Sequence, residues 1–169
     1  MFFRKKNQPQ SLLIHAPVTG KIINLSEVQD PVFAQGMLGT GFAIIPDYKS
    51  QDQVSFVTPF AGTLVTVFKT GHAYGIKDKI TGIECLVHIG IDTVELAGKG
   101  FNIKVKQGDN INHNEIMVSA NLKAIKEEEK KLIVTPIVFA NEMMEGYKFN
   151  LLKTEHVTQG QIVGEIIKV

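Results

Sequence analysis

Glycine, proline, asparagine or aspartate interrupts this chain about every ten residues, and the runs between them are short and rich in Val, Ile, Thr and Phe. Segments of that length and composition suit strands, not helices, so the pattern predicts an all-β protein: an antiparallel β-sandwich or barrel with Greek-key-like connections and one or two short helices. Strands are expected at 12–16, 21–24, 41–45, 53–57, 62–68, 73–76, 84–89, 102–105, 116–120, 133–139 and 162–168. The one clear helix is expected at 122–131, with Leu122, Ile125 and Leu132 as a partial apolar stripe and the charged run 126–131 as its solvated face.

The 169 residues suffice for one self-standing core, read as a flexible segment 1–11 followed by a single domain 12–169. Eighteen Lys and Arg against seventeen Asp and Glu leave a formal charge of +1, so no global field draws the chain to nucleic acid. Partner recognition must then be local. The single cysteine, Cys85, sits in the apolar run Ile83-Glu84-Cys85-Leu86-Val87, which suits a buried thiol and leaves no disulfide framework. The opening Met1-Phe2-Phe3-Arg4-Lys5-Lys6 is too short for a secretory signal, and no run approaches a membrane span. The expectation is a cytoplasmic protein with a frayed N-terminus that makes at most weak peripheral membrane contact.

Two internal echoes stand out. Ala16-Pro17-Val18-Thr19-Gly20-Lys21-Ile22 resembles Thr58-Pro59-Phe60-Ala61-Gly62-Thr63-Leu64, and Val105-Lys106-Gln107-Gly108 resembles Val157-Thr158-Gln159-Gly160. In the Pro-x-x-Gly copies, Pro fixes φ and Gly can supply a positive φ for a sharp entry into the next strand. Lipoyl- and biotinyl-carrying sandwiches share such punctuation, but the Met-Lys pair they modify is absent.

Chemistry concentrates between residues 68 and 101. In Phe68-Lys69-Thr70-Gly71-His72-Ala73-Tyr74-Gly75-Ile76, His72 stands at the head of a strand, at an edge of the core, and strict alternation puts it on one face with Tyr74 and Ile76. In Leu86-Val87-His88-Ile89-Gly90-Ile91-Asp92-Thr93-Val94, His88 ends an apolar strand on the face of Leu86 and Gly90, where a bare glycine permits close approach by another backbone. A neutral imidazole is a competent nucleophile, and the N–P bond it forms stays reactive enough to pass phosphate onward. A second imidazole can donate to phosphoryl oxygens, and the Thr70 hydroxyl can fix the tautomer of His72. A single histidine among apolar residues is more often structural than catalytic, and spacing alone does not bring these two together.

At these residues the chain resembles enzyme IIA of the glucose family of the bacterial phosphoenolpyruvate-dependent sugar phosphotransferase system. The strings 57–62, 70–73, 86–94 and 98–101 match that family's pattern in order and spacing, and the resemblance extends through 30–34, 39–43 and 135–138, covering about residues 12–168. It implies an antiparallel sandwich with a shallow site in which His88 is phosphorylated on Nε2, His72 stabilises the phosphoryl group and Thr70 orients His72. The donor it implies is the histidine-containing phosphocarrier protein, and the acceptor a cysteine of the IIB domain of a sugar permease. Both would dock on one face, with Val32, Phe33, Met37, Phe68, Leu86 and Val94 as an apolar ring and Asp30 and Asp92 as acidic groups meeting basic residues of the partner.

No cofactor and no intrinsic metal are expected, since His72 and His88 would complete a zinc site only with a carboxylate from a partner. Lys77 and Gly71 depart from better-known enteric relatives, where an acidic residue and an asparagine are expected. The resemblance leaves the sugar, the oligomeric state and any regulatory partner open; Met1 and the fit of the ends favour a free subunit over a piece of a fused permease. His15, His113 and His156 are read as surface residues. A zinc hydrolase using His72 and His88 lacks a third ligand at recognisable spacing, and a binding module that has lost the chemistry would not need both histidines intact.

Overall fold

The computed structural model describes residues 11–48, 53–129 and 132–169. In chain order the elements are β1 (Ser11–His15), β2 (Gly20–Ile23), α1 (Pro31–Ala34), β3 (Gly39–Pro46), β4 (Val54–Val57), β5 (Gly62–Val67), β6 (Ala73–Lys77), β7 (Glu84–His88), β8 (Phe101–Ile103), β9 (Asn110–Ile111), β10 (Ile116–Ala120), α2 (Leu122–Glu129), β11 (Thr135–Ala140), β12 (Tyr147–Leu151), β13 (His156–Val157) and β14 (Ile162–Lys168), with short 3-10 turns at Leu25–Glu27, Thr93–Leu96 and Asn141–Met143. Every expected strand is present, with ends that coincide or shift by at most two residues. Beyond the expected elements lie β12, whose Tyr147, Phe149 and Leu151 alternate as a strand does, the two-residue β9 and β13, and the one-turn α1, which Asp30-Pro31 opens. The reading of the N-terminal segment falls outside the described residues except for Ser11, which already belongs to β1.

All strand pairs are antiparallel. They form one large sheet in the order β13-β2-β3-β11-β7-β6-β5-β9 and two smaller ones, β1-β14-β12 and β4-β10-β8. Neighbours such as β3 and β11 are far apart in sequence, which is the Greek-key character expected. Strand alternation gives the large sheet two apolar faces. Phe42, Ile44, Leu64, Tyr74, Ile76, Cys85, Val87, Ile137 and Phe139 point into the main core. On the opposite face, Ala43, Val134 and Val138 bury against Leu25, Val28 and Phe33 of the segment that connects β2 to β3. Fully burying each large side chain contributes about 1.5–3 kcal/mol. The second cluster also lays α1 over the sheet next to β7, where His88 lies.

The Pro-x-x-Gly echo is a real near-twofold relation. His15 N–H donates to the Pro59 carbonyl at 2.9 Å and Val57 N–H donates to the Pro17 carbonyl at 2.9 Å, so the two turns hold each other. Gly20 and Gly62 do not adopt positive φ. They are needed because a Cβ would lie 2.1 Å from the Ile45 oxygen in one copy and 2.3 Å from the Lys77 oxygen in the other. The second echo holds as a turn in both copies: Gly108 and Gly160 have positive φ, and Lys106 N–H donates to Asp109 Oδ2 as Thr158 N–H donates to Gln161 Oε1. In its placement against the Pro-x-x-Gly turns, however, the turn 111–114 is the counterpart of Val157–Gly160. Gly160 N–H donates to Ala16 O as Asn114 N–H donates to Thr58 O. Gln161 Oε1 accepts from Thr158 N as Glu115 Oε2 accepts from Asn112 N.

In α2, Leu122 and Ile125 are buried while Lys126, Glu127 and Glu128 face solvent. The Asn121 side chain accepts from Ala124 N at 3.0 Å and caps the helix. Leu132 is 56% exposed and lies past the helix end, so it does not extend the stripe; Lys130 and Lys131 fall outside the described residues.

Candidate active site

His88 closes β7, and its partner across the β6–β7 register is Ala73. Because paired residues share a face, Ala73, His88 and Leu86 lie on the side away from the main core, while Tyr74 and Val87 point inward. Strict alternation would therefore carry His72 to the core side with Tyr74. Instead its ring meets that of His88 edge to face, with centroids 5.0 Å apart. The chain bends before β6 begins: Gly71 has φ +76°, and His72 lies outside the strand. A Cβ at Gly71 would stand 2.9 Å from Phe101 Cβ, which accounts for glycine at this position. His72 is also more deeply set than an edge position implies, with 3% of its surface exposed.

Both rings are held through Nδ1. His88 Nδ1 lies 2.7 Å from the Gly90 carbonyl. A carbonyl can only accept, so Nδ1 carries the proton and the lone pair of the neutral ring lies on Nε2. His72 Nδ1 lies 2.6 Å from Thr70 Oγ1. Burial, followed by the proximity of His88, lowers the His72 pKa to about 4. Burial also lowers the pKa of His88, against the opposing pull of its bond to Gly90 and of the Asp30 and Asp92 charges. Both rings are thus neutral at pH 7. The arrangement presents one oriented imidazole lone pair next to a second imidazole, without an ionised base between them.

Phe33 packs against His88 at a centroid distance of 5.3 Å, and Phe68 against His72 at 5.2 Å. Phe33 is only 6% exposed, so it forms a wall under His88 instead of a surface contact. Leu86 is half-buried against the second apolar cluster. Phe68, Val94 and Met37 are 43%, 51% and 63% exposed, and Val32 is also exposed. Asp30 caps α1 by accepting from Val32 N at 2.8 Å. Asp92 has φ +59° at the start of the 3-10 turn. Sequence reasoning missed Leu38, an exposed leucine that joins Val65, Phe68, Gly75 and Leu86 around a hollow of about 260 Å³.

A family model for the phosphoenolpyruvate-dependent sugar phosphotransferase system, EIIA 1, matches residues 12–145. The chain belongs to that family. Among its relatives, the glucose-specific EIIA component of Mycoplasma capricolum is 43% identical over 163 residues, covering 96% of this chain and 97% of that protein. The component of the same name from Halalkalibacterium halodurans is 44% identical over 133 residues, covering 79% and 73%. The solved glucose permease IIA from Mycoplasma capricolum superposes with a TM-score of 0.83 at 38% identity, covering 98% of both chains. An EIIA component of this system is a phosphotransferase carrier, and the paired neutral imidazoles are suited to that work.

Other features of this EIIA chain lie apart from the site. Lys77, standing where an acidic residue was expected, pairs with Glu84 at 3.5 Å. His15 stacks on His113 with centroids 4.8 Å apart, a contact unseen in the sequence, and His156 pairs with Asp47. Among the described residues, no group of three or more His, Cys, Asp or Glu side chains could hold a metal ion, and no helix is long and apolar enough to cross a membrane.

Proposed function

We propose that this chain accepts a phosphoryl group on His88 Nε2 from the histidine-containing phosphocarrier protein and passes it to a cysteine of the IIB domain of a sugar permease. The observation that carries the reading is the Nδ1–H bond from His88 to the Gly90 carbonyl, which leaves Nε2 as the nucleophilic atom. In the first step the Nε2 lone pair attacks phosphorus, the donor's N–P bond breaks, and the departing imidazole keeps that electron pair. In the second step a cysteine thiolate attacks, the Nε2–P bond breaks, and its electrons return to His88 as a lone pair.

His72 is the stabilising group. With the Thr70 hydroxyl donating to Nδ1, the His72 proton resides on Nε2 and can bond a phosphoryl oxygen as charge spreads over the transition state. Phe68, Val32, Met37 and Val94 supply an apolar docking ring, and Asp30 and Asp92 attract basic residues of both partners. The names of its glucose-specific EIIA relatives support glucose as the transported sugar, and the cytoplasm is the site of action we infer from membership of the family.

The test is incubation with radiolabelled phosphoenolpyruvate, the general phosphotransferase enzyme and the phosphocarrier protein. An acid-labile, base-stable label on His88, passed on to IIB, is expected. Label on another residue, or none, would overturn the proposal.

A further inference from the structure

The peptide that joins Ile89 to Gly90 is pinned at both ends. Gly90 N–H donates to the Val134 carbonyl at 2.9 Å. On the other side, the Ile89 carbonyl accepts from Thr93 Oγ1 at 2.6 Å. Thr93 is 1% exposed, so this hydroxyl has no water to turn to, and an orphaned carbonyl in its place would be costly. Directly after the pinned peptide comes the Gly90 Cα, at φ +76° and with no side chain to restrict it, and the Gly90 carbonyl that meets His88 follows it. A Cβ on Gly90 would fall 2.4 Å from Thr93 Cγ2, so the threonine methyl occupies the space a side chain would need. Thr93 therefore holds the peptide in front of the glycine by its hydroxyl and stands against the glycine itself with its methyl.

The geometry points to Thr93 as a positioning residue for phosphoryl transfer: its hydroxyl fixes the Ile89–Gly90 peptide, and through it the Gly90 carbonyl that keeps the His88 proton on Nδ1. The inference rests on His88 Nε2 being the phosphorylated atom. Thr93 does not touch the reacting atoms. It acts on the tautomer. Without the hydroxyl, the Ile89–Gly90 peptide keeps only its bond to Val134 and can tilt about it, which moves the Gly90 carbonyl off Nδ1, and a fraction of His88 shifts its proton to Nε2, where no lone pair remains for attack.

Long-range proton–nitrogen NMR reads the tautomer directly, without any phosphoryl donor. In Thr93→Val, which keeps the shape and loses the hydroxyl, a measurable Nε2–H population of His88 is expected, with phosphoryl acceptance slowed about fivefold, the loss of one hydrogen bond's worth. Should Thr93→Val fail to fold, Thr93→Ser and Thr93→Ala both lack the methyl and differ only in the hydroxyl. The serine variant is expected to retain the wild-type tautomer and the alanine variant to lose it. An unchanged His88 tautomer in Thr93→Val, or the same tautomer in the serine and alanine variants, overturns the inference. If the wild-type chain takes up no phosphate, the parent proposal falls while the NMR comparison still decides the role of Thr93.

Discussion

The backbone N–H of Ile89 donates to the carbonyl of His72 at 2.7 Å, so the residue after one site histidine is bonded to the other histidine's own backbone. The rings are therefore spaced by main-chain geometry, and side-chain changes at either ring should leave the partner in place. That independence makes the two roles separable by mutation.

His88→Ala is expected to abolish phosphoryl acceptance. His72→Ala should still accept phosphate, because Nε2 of His88 is oriented by Gly90 and not by His72, but should pass it on at least tenfold more slowly. Quench-flow transfer to IIB measures this. Full transfer by the His72 variant would remove its assigned role.

Acidity acts on stability through the same ring. In the unfolded chain His72 titrates near the ordinary value of about 6.5, whereas in the fold burial and His88 lower it to about 4. As pH falls from 6.5 towards 4 the unfolded chain binds a proton that the folded one refuses, so stability is lost across that window. The Tm of the wild type should drop more steeply between pH 7 and 4 than that of His72→Gln; parallel curves would contradict the assigned burial effect.

Gly71→Ala combines a left-handed φ with a Cβ 2.9 Å from Phe101. A cost of about 1–3 kcal/mol in denaturant unfolding is expected, together with slower transfer, since Thr70 and His72 flank the bend. Wild-type stability would mean that Phe101 yields at no cost.

Exposed apolar side chains by the site are expected to serve encounter and not chemistry. Phe68→Ser and Val94→Lys should each raise the KM for the protein phosphoryl donor several-fold and leave the His88 tautomer as it is, because neither residue bonds to His88 or Gly90. An unchanged KM in both would place docking elsewhere.

Gly20→Ala tests the twofold core. A Cβ 2.1 Å from a backbone oxygen cannot be relieved by a side-chain rotation. Thermal melts should show destabilisation of more than about 2 kcal/mol; a neutral result would show that β2 and β3 can part there.

From the sequence alone came the class of fold, most of the strands and the strings that carry the two histidines and Thr70, because alternation, turn residues and motif strings are local properties of the chain. Strand register, crossover pairing and the local departure from alternation at Gly71 are settled by contacts between distant segments. Those contacts turned His72 away from the face shared by Tyr74 and Ile76 and onto His88. They also buried Phe33 as the floor of the site, because α1 is pressed against a sheet whose second apolar face is assembled from β3, β7 and β11. Likewise, the bond from Gly90 N–H to Val134 ties the loop after His88 to a segment more than forty residues away. A period of two tells which residues share a face within one strand; which strands meet, and in what register, depends on burying both faces of the large sheet at once.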